Sequence, residues 1–223
     1  MKKITKELQY MEMLDMKRVT MGILSGYSYL TDPKRVSFVT SRYKFVSKIF
    51  NGYKKVLEVG CADGFYSTMV MEAVDSFVAS DFEPIFIEDA KATHPFREKI
   101  EFIQHDMVYS AFHEKFDGIF SLDVLEHINK SDEDKFMKNT LKSLTKNGVC
   151  IVGMPSLESQ VYASEISKKG HVNCKSGNEF KIFMTKYFDR VMMFSMNDEV
   201  IHTGYMPMAQ YLLAVCMYPK CEN

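Results

Sequence analysis

The sequence predicts an α/β protein built on a doubly wound, mostly parallel sheet, with helices before it and an antiparallel strand pair at its C-terminal end. Three observations carry this prediction. From Lys55 onward, short apolar runs alternate with amphipathic segments, the pattern of strands joined by crossover helices. The first run, Lys55-Val-Leu-Glu-Val59, leads into the turn Gly60-Cys61-Ala62-Asp63-Gly64, where glycines let backbone approach a ligand that a Cβ would obstruct. Finally, residues 190–196 and 208–217 are apolar runs with no helix signal between them, as expected for two antiparallel edge strands.

Taken in order, residues 1–52 read as an N-terminal helical cap and 53–223 as one α/β unit. Asp32-Pro33 predicts a helix start, with Asp32 as N-cap and Pro33 in the first turn. The helix 34–50 places Val36, Val39, Tyr43, Val46 and Phe50 near one face, and Asn51-Gly52 ends it. Strands are expected at 55–59, 76–80, 100–103, 117–121 and 148–153, and helices at 64–74, 84–93, 123–128 and 132–146. Residues 156–186 hold few strand signals and read as a loop-and-helix insertion.

Composition narrows the classes. A chain of 223 residues with 46% hydrophobic and 26% charged residues can bury a sizeable core. A net charge of −1 gives no broad electrostatic footprint for nucleic acid, so a small-molecule partner is expected. The five cysteines show no Cys-x-x-Cys pair, which favours reduced thiols. The first residues, Met-Lys-Lys-Ile-Thr-Lys-Glu, form no apolar leader, and no apolar run approaches the ~20 residues of a membrane span. A cytoplasmic location is the expectation.

In open α/β sheets, ligands bind beyond the carboxyl ends of the strands. Gly60, Cys61, Ala62 and Gly64 follow the first strand, and Glu58 sits two residues before the first glycine. Asp81 and Phe82 follow the second strand, where the Asp81 carboxylate is placed to accept ribose hydroxyls. Asp106 and Met107 follow the third, and Ser121 and Leu122 end the fourth. The spacing Gly-x-Ala-x-Gly differs from the Gly-x-Gly-x-x-Gly of dinucleotide binders. With its preceding acid, it resembles motif I of the class I S-adenosylmethionine (SAM)-dependent methyltransferases. That resemblance covers residues 53–155. It implies a Rossmann-like fold with SAM as cofactor, Asp106 at the adenine amino group, Met107 against the ring, and Ser121-Leu122 near the methionine part. Many members have glycine where this chain has Ala62.

The segment after the fourth strand carries the chemistry. If a helix begins near Asp123, then Asp123, Glu126 and His127 stand at i, i+3 and i+4 on one face. Two carboxylates and an imidazole make a metal-ligand geometry, and His171, in a loop after the fifth strand, is placed to be a fourth ligand. Oxygen ligands with imidazole suit Mg²⁺ or Mn²⁺. Without a metal, His127 or His171 serves as general base with Glu126 beside it; the structural alternative makes Asp123 a helix cap and Glu126 and His127 pocket walls. The set resembles the Glu-x-x-Glu-His and distal His of metal-dependent small-RNA terminal 2′-O-methyltransferases, and the Leu-Glu-His of ubiquinone-pathway O-methyltransferases. Asp123 is a shorter arm than the glutamate of the former.

Two further candidates keep two readings each: Arg42, in the helix before the first strand, either pairs with a phosphate or carboxylate on the acceptor or covers the core, and His202, in a loop between the last two strands, either reaches the acceptor or is solvated. The Asp-Pro-Lys-Arg, Leu-Glu-His and Gly-His-Val-Asn segments are similar to those of bacterial O-methyltransferases of surface-polysaccharide pathways, including enzymes making O-methyl phosphoramidate. This resemblance implies O-methylation of a small polar acceptor carrying sugar or phosphate.

Overall fold

The computed structural model describes residues 18–220. The helical reading of residues 1–17 lies outside this range. An eight-stranded sheet runs in the order β3-β2-β1-β4-β5-β8-β6-β7. Its strands are β1 (Lys55–Val59), β2 (Ser76–Asp81), β3 (Ile100–Gln104), β4 (Phe116–Leu122), β5 (Leu144–Pro155), β6 (Phe188–Asn197), β7 (Val200–His202) and β8 (Tyr211–Pro219). The first five pair in parallel, while β8 is antiparallel to both β5 and β6, and β7 is antiparallel to β6. The expected antiparallel pair is present as β6 and β8, with the short β7 added outside them. Strand order reverses at β1 and β4, so a crevice opens at their carboxyl ends.

The central strands are buried on both faces, which is why they read as continuous apolar runs. Along each strand the side chains alternate between two cores. Val56, Phe120, Ile151 and Leu213 share one core with Val39, Val46 and Phe50 of helix α2 (Arg35–Ile49) and Ile87 of α4 (Pro84–Thr93). Leu57, Ile119, Val152 and Leu212 share the other with Phe136 and Met137 of α5 (Glu133–Ser143) and Phe180 and Met184 of α7 (Gly177–Thr185). Thus α2 is part of the sheet's packing, and the boundary expected at residue 52 falls inside one core. Helix α1 (Ile23–Thr31) stands outside it, with Ser25 as its buried residue.

Several local expectations are corrected. Asp32 closes α1 rather than opening α2, and its carbonyl accepts from Arg35 N. The helix expected at 64–74 shrinks to α3 (Thr68–Met71). Around it the bonds run mainly to the third residue back, as Ser67 N to Gly64 O and Ala73 N to Val70 O. The helix expected at 123–128 is a single 3₁₀ turn, Leu125–His127, because Asp123 is left-handed at φ +57° and its N–H is taken by Gly153 O and the Tyr211 hydroxyl. The region 156–186 divides in two: a 3₁₀ turn at Glu158–Tyr162 and α6 (Glu165–Gly170) form the insertion, whereas α7 packs on the sheet after a Ser176/Glu179 capping box.

Candidate active site

A cleft of about 630 Å³ lies over the carboxyl ends of β1, β2, β3 and β4. One end is formed by Asp81, Phe82, Asp106 and Met107, the middle by Gly60, Cys61 and Ala62, and the other end by Leu122, Asp123 and His127. Leu24, Ser25 and Ser28 of α1 cover it from above.

The floor is a strained turn. Gly60 has φ +84°, and a Cβ there would lie 2.1 Å from Val124 Cγ2. Ala62 is also left-handed, at φ +48°. Asp81 offsets this strain: Oδ2 accepts from Ala62 N at 2.8 Å and Oδ1 from Glu83 N at 3.0 Å. Burial pushes the Asp81 carboxyl above its ordinary range, against those backbone donors. Each oxygen keeps a further lone pair for a ligand hydroxyl. Asp106 caps its own turn through Val108 N at 2.8 Å, and Met107 is buried beside it.

Three residues expected to touch the cofactor stand behind the cleft wall. Glu58 is buried, with its carboxylate accepting from the Tyr43 and Ser67 hydroxyls. Burial pushes its pKa up to about 7, against those two donors. Glu58 therefore ties α2 and α3 to β1 and leaves the ligand to its neighbours. Gly64, at φ +73°, packs against Phe102, and its carbonyl meets His94 Nε2 at 3.1 Å. Ser121 is buried with an unpaired hydroxyl.

At the far end the expected four-residue set separates. Asp123 is drawn away by Arg42, whose Nη1 donates to both carboxylate oxygens at 2.8 and 3.0 Å while its guanidinium stacks 3.6 Å over the Tyr211 ring. Arg42 is thereby committed to the turn, not to an acceptor, and Asp123 does not join the other three residues. Glu126, His127 and His171 do meet, with potential ligand atoms all within 4.8 Å of one another. His127 Nδ1 donates to Gly170 O at 3.0 Å and His171 Nδ1 to Gln160 Oε1 at 2.8 Å. Both rings thus carry their proton on Nδ1 and keep Nε2 as an open acceptor, the second interaction that orients metal-binding histidines. Glu126 is buried, and its Oε2 has no hydrogen-bond partner. Burial, with the Asp123 charge nearby, pushes its pKa well above the carboxylate range. A buried, half-satisfied carboxylate beside two open imidazole nitrogens fits a cation. His202 lies on β7 with Nε2 on Asn197, remote from this cluster by its pairing at the sheet edge.

Sequence reasoning missed what places His171. The Asn173 N–H donates to Glu126 O at 3.0 Å. The Asn173 side chain and Lys175 Nζ both bond Glu133 Oε2, at 2.8 and 2.6 Å, and all three residues are buried. This clamp sets the 171–175 loop against the 3₁₀ turn. Lys175→Met should lower stability by about 3–5 kcal/mol, because Glu133 would stay buried and charged without its partner. Thermal unfolding checks it, and Lys175→Met/Glu133→Leu should recover most of the loss. Asp63 was missed too, though it lies within the glycine turn. It accepts from Ser25 N at 2.7 Å and Ser25 Oγ at 2.8 Å, fastening α1 to the cleft floor.

The comparisons agree with this geometry. Residues 56–148 match the family model described as a methyltransferase domain. A ubiquinone biosynthesis O-methyltransferase of Pelagibacter ubique is 32% identical over 114 residues, covering 49% of this chain and 46% of that protein. The mitochondrial counterpart of Schizosaccharomyces pombe is 27% identical over 124 residues, covering 54% and 44%. The chain thus spans less than half the length of these curated relatives. Among solved structures, the DhpI–S-adenosylhomocysteine complex matches with TM-score 0.65 at 16% identity, covering 87% of this chain and 90% of that one. The N-methyltransferase NodS of Bradyrhizobium japonicum, bound to S-adenosylhomocysteine, matches with TM-score 0.61 at 18% identity, covering 81% and 86%. At these identities the structures speak to fold alone. Residues 56–148 thus match a methyltransferase domain and lie on a sheet with the Rossmann-like order of these solved methyltransferases.

Proposed function

We propose that the protein is a SAM-dependent O-methyltransferase for a small polar acceptor carrying sugar or phosphate, assisted by a divalent ion such as Mg²⁺ or Mn²⁺ on Glu126, His127 and His171. The observation that carries this reading is the three-residue cluster that reaches the cleft through His127, with both Nε2 atoms open and Glu126 half-satisfied. O-methylation accords with the two ubiquinone-pathway relatives. Surface-polysaccharide modification in the cytoplasm is the setting suggested by the sequence resemblance. A net charge of −1 favours a small acceptor over RNA.

The cofactor supplies a methyl group on a sulfonium, so that a C–S bond breaks as the acceptor's O–C bond forms. The chain's own residues bind and orient. Asp81 offers lone pairs for ribose hydroxyls, Met107 an apolar wall, and the Gly60–Ala62 turn a close backbone floor. In the metal-free alternative the proton leaving the acceptor hydroxyl goes to a histidine Nε2; with both nitrogens on an ion it would leave to solvent. Burial and the neighbouring His127 lower the His171 pKa, keeping that imidazole neutral and ready to accept. A divalent ion held by the cluster would supply charge that acidifies the acceptor hydroxyl.

Calorimetry should show S-adenosylhomocysteine binding and no NAD binding; the reverse result sinks the cofactor assignment. Methyl transfer should stop in EDTA and return with Mg²⁺ or Mn²⁺. Full activity in EDTA would instead assign the chemistry to the histidines alone.

A further inference from the structure

The cation that one reading gives to the acceptor, Arg42, is spent on Asp123 and Tyr211. A different arginine is not. Arg35, the first residue of α2, lines the cleft, and its guanidinium has no partner among the described residues. Tyr66 lines the same cleft from the segment after the glycine turn. Its hydroxyl is buried without a hydrogen-bond partner. The ring is packed by Tyr43, centroids 5.5 Å apart, and Phe65, 5.0 Å apart. An aromatic hydroxyl held in place and left unpaired is a costly arrangement unless something else completes it.

The two groups line one cleft together with His127. Arg35 opposes the rise that burial imposes on the Tyr66 hydroxyl. Three of the acids lining the cleft are already committed: Asp123 to Arg42, Asp63 to Ser25, and Asp132 to Lys135.

We propose that Arg35 and Tyr66 form an anion clamp that holds an oxyanion group of the acceptor, phosphate or carboxylate, while the acceptor's hydroxyl faces His127 and His171. The guanidinium supplies charge and a planar fork, and the tyrosine supplies one directed O–H donor. The substrate class is then small hydroxylated acids and phosphate esters. This rests on the methyltransferase reading for its geometry, but its central claim, an anion site at Arg35, can be measured separately.

The test titrates inorganic phosphate into protein saturated with S-adenosylhomocysteine, for wild type, Arg35→Gln, Arg35→Lys and Tyr66→Phe. Wild type should bind phosphate. Arg35→Gln should weaken binding at least tenfold, Arg35→Lys should restore part of it, and Tyr66→Phe should weaken it severalfold. Circular dichroism and S-adenosylhomocysteine affinity report whether each variant keeps its fold. In methyl transfer from labelled SAM, glycerol 3-phosphate should exceed glycerol at least tenfold in kcat/KM. Arg35→Gln should erase that preference through KM. Phosphate binding that is absent in wild type, or equally tight in Arg35→Gln, overturns the clamp, whether or not either alcohol turns over. If S-adenosylhomocysteine fails to bind while phosphate binding still depends on Arg35, the methyltransferase reading falls and the anion site stands.

Discussion

Gly60→Ala is expected to lose S-adenosylhomocysteine affinity by more than tenfold and stability by roughly 2–4 kcal/mol, the sum of a left-handed alanine and an overpacked contact. The new methyl group would meet Val124 Cγ2 at 2.1 Å, and the residue is held at φ +84°. Valine is stiff at χ1, so relief must come from backbone. The backbone that moves precedes the Leu125–His127 turn, which carries Glu126 and His127, two of the three proposed ligands. One added carbon therefore disturbs cofactor floor and that turn together. Adding Val124→Ala should recover much of the affinity by clearing the clash, while the backbone strain remains. Calorimetry and thermal unfolding measure both, and unchanged cofactor affinity in Gly60→Ala would refute the account.

Glu126→Gln is expected to reduce methyl transfer at least a hundredfold and to abolish Mn²⁺ binding, while raising stability by about 1–3 kcal/mol. These opposite signs follow from one fact. Glu126 is buried with Oε2 unpaired, and burial beside a second carboxylate, Asp123, pushes its pKa up, so the fold must either bury an unbalanced charge or protonate the group, and both cost stability. A neutral amide of the same shape removes that burden and removes the ligand with it. Such a trade of stability for activity is the signature of a functional group placed against the interest of the fold. Calorimetry with Mn²⁺, thermal unfolding and initial rates decide it. A variant that loses stability without losing Mn²⁺ would show Glu126 to be a structural acid.

The sheet was legible because parallel strands buried on both faces leave continuous apolar runs, and all five predicted parallel strands are present. That Gly60, Asp81 and Asp106 line one cleft was legible for a related reason: they sit at strand ends, where chain position and spatial position coincide. The catalytic end was not. The prediction for Asp123 relied on helical spacing, but that residue's conformation is set by Arg42, 81 positions away, and by the Tyr211 hydroxyl, 88 positions away. Arg42 was placed near the site with its partner left open, because no local pattern reveals which acid a long cation will find. His171 was reached through the order of the loops, whereas the Lys175–Glu133–Asn173 clamp that fixes it spans 40 positions and leaves no periodic trace.

Tyr211 has a further consequence, in time. Its ring supports Arg42 and its hydroxyl meets Asp123 N, yet it opens β8, a strand made after all the other strands it supports and seated between β5 and β6. During synthesis, β1 to β4 and the glycine turn can emerge and begin to pair while Arg42 has no aromatic plane to lie on. The turn at Asp123 then waits for an Arg42–Tyr211 contact that spans 169 positions of chain, a slow closure relative to local pairing. A nascent chain halted before residue 211 would hold the parts of a cofactor floor without a set Asp123, so competence for methyl transfer should arrive late and together with β8.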